Sequence, residues 1–265
     1  MTSGLWFEVV IIKEGNMSEE IRELAEILKN SSNIVFFGGA GVSTESNIPD
    51  FRSANGLWNE KLKINFTPEQ LVSHTMYMRY PEEFFAFYKD KLIYPDAVPN
   101  KAHIALAKLE EMGKLKAVVT QNIDGLHQAA GSKTVYELHG SVLRNYCEDC
   151  HEFYDEKYIM ASEGIPVCKK CGGRVKPDVV LYEEGLDQRT IDASVRAIMA
   201  ADTLIIGGTS LIVYPAAGLI QYFKGSKLIL INKTETSADR NADLVIHDSI
   251  GKVLSEALEI MENNN

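Results

Sequence analysis

The sequence has no long apolar run, no excess of basic residues and no cysteine outside one short stretch. Its longest early apolar run covers residues 7–12, is interrupted by Glu8 and ends at Lys13. Such a run is too short to span a membrane and lacks the basic flank of a secretion signal. The sequence therefore predicts a cytoplasmic location and no membrane partner.

The charge is one-sided, with 37 acidic against 27 basic residues and a formal net charge of -10. A negative surface repels nucleic-acid phosphates, so no direct nucleic-acid partner is expected. The negative charge favours binding of a basic partner such as a lysine-bearing protein segment. It is explained equally well by a role in solubility alone. With 265 residues, of which 45% are hydrophobic, the chain forms either one domain with inserted modules or two domains.

All four cysteines lie between residues 147 and 171, as two C-x2-C pairs separated by residues 151–167. Two such pairs present four thiolates to one tetrahedral Zn²⁺. Disulfides are the weaker alternative in a chain without a secretion signal. Because four sulfur ligands leave no open position for water, the ion is expected to be structural. The predicted ligands are Cys147, Cys150, Cys168 and Cys171.

Short apolar runs alternate with helical patterns through most of the chain. Strands are predicted at residues 34–37, 117–120, 135–138, 178–182, 203–207, 227–232 and 243–246. Helices are predicted from residue 18, over 100–112 and 188–200, from Pro215, and after Ser249. This alternation predicts an α/β fold with a doubly wound, Rossmann-like parallel sheet, carrying an inserted small zinc-ribbon and helical domain.

A glycine turn, Gly39-Ala40-Gly41, follows the first predicted strand. Turns of this kind let backbone N–H groups approach a pyrophosphate, although many serve packing alone. Dehydrogenases also need an acidic residue about twenty positions later, at the end of a second strand. Residues 58–60 occupy that place here without a preceding strand, so any dinucleotide binds in a different manner.

The predicted organisation has six segments. Residues 1–16 form an N-terminal extension of no assigned function, either a loose tail or an incorrectly placed start. Rossmann-like segments cover 17–54, which includes the start of a cofactor loop, then 101–140 and 177–265. A helical insertion covers 55–100, and the zinc ribbon covers 141–176.

Polar residues follow several of the predicted strands. Gln121, Asn122 and Asp124 come after one strand, and His139 follows the next. Open α/β sheets bind ligands at this carboxyl edge, where a histidine is a candidate general base. The segment 208–210, Gly-Thr-Ser, and Asn232 end two further strands. The convergence of these groups on one crevice predicts a ligand site.

These motifs together resemble the sirtuin family. The resemblance rests on residues 39–43, 48–52 and 121–124, on His139-Gly140, on the two cysteine pairs and on residues 208–210, which occur in the family's order from about residue 18 to the last helix. It implies removal of acetyl or other acyl groups from protein lysine with consumption of NAD, giving nicotinamide, free lysine and 2′-O-acyl-ADP-ribose. It further implies a monomer that acts on acetyl-lysine proteins or peptides.

The resemblance also implies roles for individual residues. His139 would be the general base, with Asn122 and Asp124 beside the reacting ribose and nicotinamide. The residues expected to bind NAD are Ala40, Gly41, Thr44, Ile48, Asp50, Phe51, Arg52, Gln121, Asn122, Ile123, Asp124, Gly208, Thr209, Ser210, Asn232, Lys233, Ser249 and Ile250. Those expected to bind the peptide, which would add as a strand, are Val179, Val180, Leu181, Tyr182, Val213 and Tyr214.

The sequence departs from the family pattern at two positions. Asn47 stands where glycine is usual, and Asn is the non-glycine residue that best tolerates positive φ. Glu183 also stands at a common glycine position, which leaves peptide preference open. Phe85 and Tyr88 occupy the positions of a Tyr-x-x-Arg pair found in members that prefer acidic acyl groups, which favours a neutral acyl group here.

Other functions remain as alternatives from the sequence. The first is protein mono-ADP-ribosyl transfer, in which another nucleophile would capture the same ribosyl group. The second is a nucleotide-binding zinc-ribbon module without catalysis, against which Asn122 and His139 both argue. A hydride-transfer enzyme is the least favoured, because the acidic ribose-binding residue is missing.

Overall fold

The structure is a computed structural model, and it describes residues 19–51, 56 and 66–263. The predicted extension, residues 1–16, lies outside these residues. Within them, no helix is both long enough and apolar enough to cross a membrane.

Nine strands form two separate sheets in the described part of the chain. Their bounds are β1 Ile34–Gly38, β2 Leu115–Thr120, β3 Val135–Glu137, β4 Gly140–Cys147, β5 Phe153–Tyr154, β6 Val175–Val179, β7 Thr203–Gly207, β8 Lys227–Ile231 and β9 Leu244–Ile246. The larger sheet is six-stranded in the order β3-β2-β1-β7-β8-β9, and all its pairings are parallel. The predicted doubly wound parallel sheet is confirmed.

Helices cover both faces of the large sheet and build the insertions. They are α1 at residues 19–30, α2 Pro68–Leu71, α3 His74–Arg79, α4 Pro81–Lys91, α5 Lys101–Glu111, α6 Leu126–Ala129, α7 Glu156–Ala161, α8 Gln188–Ala200 and α9 Ile250–Asn263. The helix predicted from Pro215 is instead a 3-10 helix, Ala216–Tyr222. The peptide bond between Tyr214 and Pro215 is cis, and Pro215 comes just before the first residue of this helix.

Strand β1 shows how the large sheet is buried on both faces. Ile34 and Phe36 pack into one apolar cluster with residues of α1, α5 and α9. Val35 and Phe37 point the other way, into a second cluster with residues of α8 and the 3-10 helix. All four are fully buried. A strand buried on both faces is apolar along its length, which is why apolar and polar residues do not alternate in this run.

The small sheet and the helices α2–α4 and α7 share a third apolar cluster. Its centre is aromatic, with Tyr77, Phe84, Phe85 and Tyr88 in edge-to-face or stacked contact. The prediction that residues 178–182 form a strand of the large sheet is wrong. Here β6 ends at Val179 and pairs antiparallel with β4 in the order β5-β4-β6. An apolar run of that length does not reveal which sheet it joins.

Gly140 begins β4 directly after the large sheet's edge strand. Its φ is +74°, and a Cβ at this position would lie 1.9 Å from the carbonyl oxygen of Asp178 on β6. The strands β4 and β6 therefore lie so close together that there is no room for a side chain at residue 140. This junction fixes His139 next to the small sheet.

We expect Gly140→Ala to lower the free energy of unfolding by about 3 kcal/mol, because it adds a backbone clash to an unfavourable φ. Gly113→Ala is the matched control, since Gly113 has a φ of +74° but no atom within 4 Å of an added Cβ. The control should lose only about 1 kcal/mol. Urea denaturation of both variants measures the difference, and equal losses would contradict the clash.

Two buried histidines form the contact between α5 and α6. The rings of His103 and His127 lie edge to face with centroids 4.7 Å apart. His103 accepts a hydrogen bond from the backbone N–H of Asn100 through Nδ1, at 3.2 Å. Burial lowers the pKa of His127 to about 3, helped by the charge of His103, and burial lowers the pKa of His103 to about 4 against the opposing effect of Asp124. Both rings are therefore neutral in the folded protein at neutral pH.

Stability should decrease as the pH falls below 6.5. An unfolded histidine then takes up a proton that the folded protein excludes, so stability present above pH 6.5 is lost progressively toward the folded-state values of about 4 and 3. The His127→Leu variant removes one such group and should show a shallower loss. Thermal unfolding between pH 7 and pH 4.5 compares the two proteins, and parallel curves would show that His127 does not contribute.

Candidate active site

A cavity of about 1080 Å³ lies at the carboxyl ends of β1, β2, β7 and β8. It gathers most of the residues predicted to bind NAD. Those that line it are Ala40, Gly41, Thr44, Ile48, Asp50, Phe51, Gln121, Asn122, Ile123, Asp124, Gly208, Thr209, Ser210, Asn232, Lys233 and Ile250. His139 lines it as well, and so do all six residues predicted for the peptide, Val179, Val180, Leu181, Tyr182, Val213 and Tyr214.

A few predicted positions are not part of the cavity wall. Ser249 does not line it, although its neighbours Asp248 and Ile250 do. Arg52 lies outside the described residues. Phe85 and Tyr88 are fully buried in the aromatic cluster and do not line the cavity, so the preference for a neutral acyl group has no support from their position.

Two glycine turns form the floor of the cavity. The N–H of Gly41 donates to the carbonyl of Gly208 at 2.8 Å. A Cβ on Gly41 would lie 2.8 Å from the Gly208 Cα. Gly208 itself has a φ of +58°, and an added Cβ would lie 2.4 Å from the N of Val42. The two glycines therefore allow the turns to pack backbone against backbone, and this packing brings both turns to the wall of the cavity, the place where phosphate-binding glycine turns lie in open α/β folds.

Ser43 joins the first glycine turn to the loop after β2. Its Oγ donates to Asp124 Oδ2 at 2.7 Å and accepts from Asn122 Nδ2 at 3.0 Å. Asp124 Oδ1 accepts from the N–H of Leu126 at 2.9 Å. These bonds fix the orientation of the Asn122 amide and the Asp124 carboxylate, both of which line the cavity. Ser43 lies within the motif at residues 39–43, and nothing in the sequence pattern indicates this role.

His139 has a defined tautomer. Its Nδ1 lies 2.9 Å from the carbonyl oxygen of Gln121, and because a carbonyl only accepts, Nδ1 carries the proton. The lone pair of the neutral ring is then on Nε2. Burial lowers the pKa of His139, and the hydrogen bond to Gln121 opposes this only in part. The ring is therefore neutral near pH 7 and able to accept a proton.

The opposite end of the cavity is built from β7 and β8. Gln121 Nε2 donates to Thr209 Oγ1 at 3.1 Å, linking the loops after β2 and β7. Asn232 follows β8, and its Nδ2 donates to the carbonyl of Thr234 at 2.8 Å. These amide and hydroxyl groups are of the type that binds ribose hydroxyls.

Two contacts outside the predicted set hold the glycine-rich segment in place. Asn100 donates through Nδ2 to the carbonyl of Val42 at 2.8 Å and to Ser46 Oγ at 3.0 Å. Glu45 accepts from the N–H of Gly251, at the start of α9, at 3.0 Å. Nothing in the sequence signals these pairs, because the partners are 54 to 206 positions apart.

Both departures from the family pattern adopt positive φ. Asn47 has a φ of +62° and Glu183 a φ of +76°. The expectation that Asn47 replaces a glycine in a left-handed conformation is therefore met. Glu183 is an unusual residue for this conformation and lies on the cavity wall.

The four cysteines form one cluster apart from the cavity. The Sγ atoms of Cys147, Cys150, Cys168 and Cys171 all lie within 4.8 Å of one another. Four sulfurs bound to one Zn²⁺ at about 2.3 Å are separated by just under 4 Å, so this arrangement fits a tetrahedral zinc site. None of the four lines the cavity, which fits a structural ion.

Residues 39–215 match the Sir2 family model. An NAD-dependent protein deacetylase of Clostridium perfringens is 73% identical over 244 residues, which are 92% of this chain and all of that protein.

Two solved Sir2 structures share the fold. One is 43% identical with a TM-score of 0.83, covering 93% of this chain and 99% of the other. A Sir2 complex with a p53 peptide and NAD⁺ is 37% identical with a TM-score of 0.77, covering 92% and 98% respectively. With the sequence match and these structures in agreement, the chain belongs to the Sir2 family.

Proposed function

We propose that this protein removes acetyl groups from protein lysine while consuming NAD, giving nicotinamide, free lysine and 2′-O-acetyl-ADP-ribose. The observation that carries the proposal is a neutral, partly buried histidine with a fixed tautomer, in the same cavity as the two packed glycine turns, which we call the glycine cradle. The name of the Clostridium perfringens relative agrees with it.

NAD fits the cavity by its chemistry. The backbone around Gly41 and Gly208 would hold the pyrophosphate, and Thr209 and Asn232 would hold the adenosine end. Asn122 and Asp124 would face the nicotinamide riboside. When bound, NAD would supply a ribose carbon that the acyl oxygen of the peptide can attack as nicotinamide leaves.

The protein's own contribution is to position groups and to move a proton. Ser43 holds Asn122 and Asp124 so that neither side chain has to reorient during the reaction. His139 Nε2 would take the proton of a ribose hydroxyl, which makes that oxygen a nucleophile toward the acyl carbon.

The peptide would lie between residues 179–182 and residues 213–214. Tyr214 is 74% exposed and Tyr182 38% exposed, so both present large side chains at the mouth of the cavity. Backbone pairing in the manner of an added strand would tolerate many peptide sequences.

A reducing compartment suits the four free cysteines and a thiolate-bound ion, which supports a cytoplasmic location. The acidic surface supports protein segments rather than nucleic acid as partners. We propose a monomer, because the cavity includes all the predicted catalytic residues within one chain.

His139→Ala should reduce NAD-dependent deacetylation of an acetyl-lysine peptide by at least about a hundredfold, the usual loss when a general base is removed. Mass spectrometry of the peptide, with nicotinamide release measured in parallel, gives the result. His139→Gln is the matched control, since its amide can still donate to Gln121 but cannot take up a proton, and it should be equally inactive.

Two outcomes would contradict this assignment. Full activity of His139→Gln would show that His139 acts through its hydrogen bond alone. Nicotinamide release by the unmodified protein without any acyl peptide, together with labelling of protein by ADP-ribose, would indicate mono-ADP-ribosyl transfer instead.

Metal analysis should find one zinc per chain, and chelation should abolish activity by unfolding the cysteine module. Limited proteolysis should then cut within residues 141–176, while readdition of Zn²⁺ restores both protection and activity. A metal-free protein that stays protected but inactive would show that the ion takes part in the chemistry.

A further inference from the structure

The turn at residues 182–184 connects the cavity wall to the helical insertion. Tyr182 forms an isolated parallel bridge with Ser73. Its N–H donates to the carbonyl of Val72 at 3.0 Å, and its carbonyl accepts from the N–H of His74 at 2.9 Å. Both backbone groups of Tyr182 are therefore already used, and they are unavailable to a bound peptide.

In the next residue, Glu183, both the backbone N–H and the backbone carbonyl are available to a partner. Within the described residues, neither its N–H nor its carbonyl has a hydrogen-bond partner. The residue is exposed and lines the cavity. Its φ is +76°, and its N–H and carbonyl are therefore two groups of this wall that an extended peptide can pair with.

The side chain of Glu183 stabilises this unusual backbone conformation. Its Oε2 accepts from the backbone N–H of Thr75 at 2.8 Å and from Thr75 Oγ1 at 2.7 Å. These hydrogen bonds lower the pKa of Glu183, so it is a carboxylate at neutral pH and accepts strongly. A glycine would adopt the same φ without cost but would have no such attachment.

The remaining residue of the turn is fixed separately. Glu184 Oε2 accepts from the N–H of Leu181 at 3.0 Å and pairs with Lys176 at 3.2 Å. Its Oε1 lies 2.9 Å from His74 Nδ1. Glu183 is consequently held between two anchored residues, and its own conformation depends on Thr75.

We propose that Glu183, through its hydrogen bonds to Thr75, is a positioning residue that sets the affinity for the acyl-lysine peptide. The proposal rests on the proposed function only in taking this wall as the peptide site. The pair touches neither the glycine cradle nor His139, so it should act on peptide affinity and leave NAD affinity and the chemical step unchanged.

The test measures binding of a fluorescein-labelled acetyl-lysine peptide by anisotropy, which needs no turnover. Thr75→Val removes the hydroxyl but keeps the backbone donor, and it should weaken binding about fivefold, the worth of one hydrogen bond. Thr75→Ser keeps the hydroxyl and should bind like the unmodified protein. Glu183→Gly loses both hydrogen bonds and should weaken binding about tenfold or more.

The double variant Thr75→Val with Glu183→Gly should bind no more weakly than Glu183→Gly alone, because the two residues act through one contact. In steady state, Thr75→Val should raise the KM for peptide with kcat and the KM for NAD unchanged.

The proposal is overturned if Thr75→Val binds peptide as tightly as the unmodified protein, even with a lower Tm, since the role is then only structural. It is overturned equally if Thr75→Ser weakens binding as much as Thr75→Val, or if the unmodified protein does not bind the peptide. Failure of the proposed function has a different signature, namely peptide binding without NAD-dependent loss of the acetyl group.

Discussion

The backbone contact between the glycine turns after β1 and β7 is the constraint on which the cavity depends. Gly38 pairs with Gly207 across two parallel strands, so the two turns begin at the same level. The hydrogen bond from Gly41 to Gly208 then brings the turns together without side chains between them. A Cβ at either glycine would push the two turns apart. The two halves of the proposed NAD site would then separate as well.

The chemistry of the site follows from how its polar groups are held. Ser43 connects the first turn to Asn122 and Asp124, and the carbonyl of Gln121 fixes the His139 ring. Three of these groups come from the single loop after β2, so the orientation of the base and of the amide beside it cannot vary independently. Groups fixed before the substrate binds need no reorganisation as charge develops, which is the main source of electrostatic stabilisation in enzymes.

The sequence alone predicts the large sheet well, because strands buried on both faces are continuous apolar runs such as residues 34–37 and 204–206. It also predicts which loops meet, since parallel strands share one carboxyl edge. The prediction for residues 178–182 is wrong. Part of this segment does form a strand, but tertiary contacts decide which sheet that strand joins. The sequence also gives no role to Ser43 and no sign of the Thr75–Glu183 pair, because side-chain pairing across 81 or 108 positions leaves no local pattern.

In the proposed function, the groups that perform the reaction and the wall that recognises the peptide lie on different parts of the fold. His139 follows β3 and the glycine turns follow β1 and β7, all strands of the large sheet, whereas the wall at residues 182–184 is attached to α3 and β6. The helices around α3 share their aromatic core with the cysteine module, so the position of that wall depends on a module that has no group in the cavity. If the wall at residues 182–184 binds the peptide as proposed, changes in the insertion alter peptide preference while the loop after β2 stays as it is.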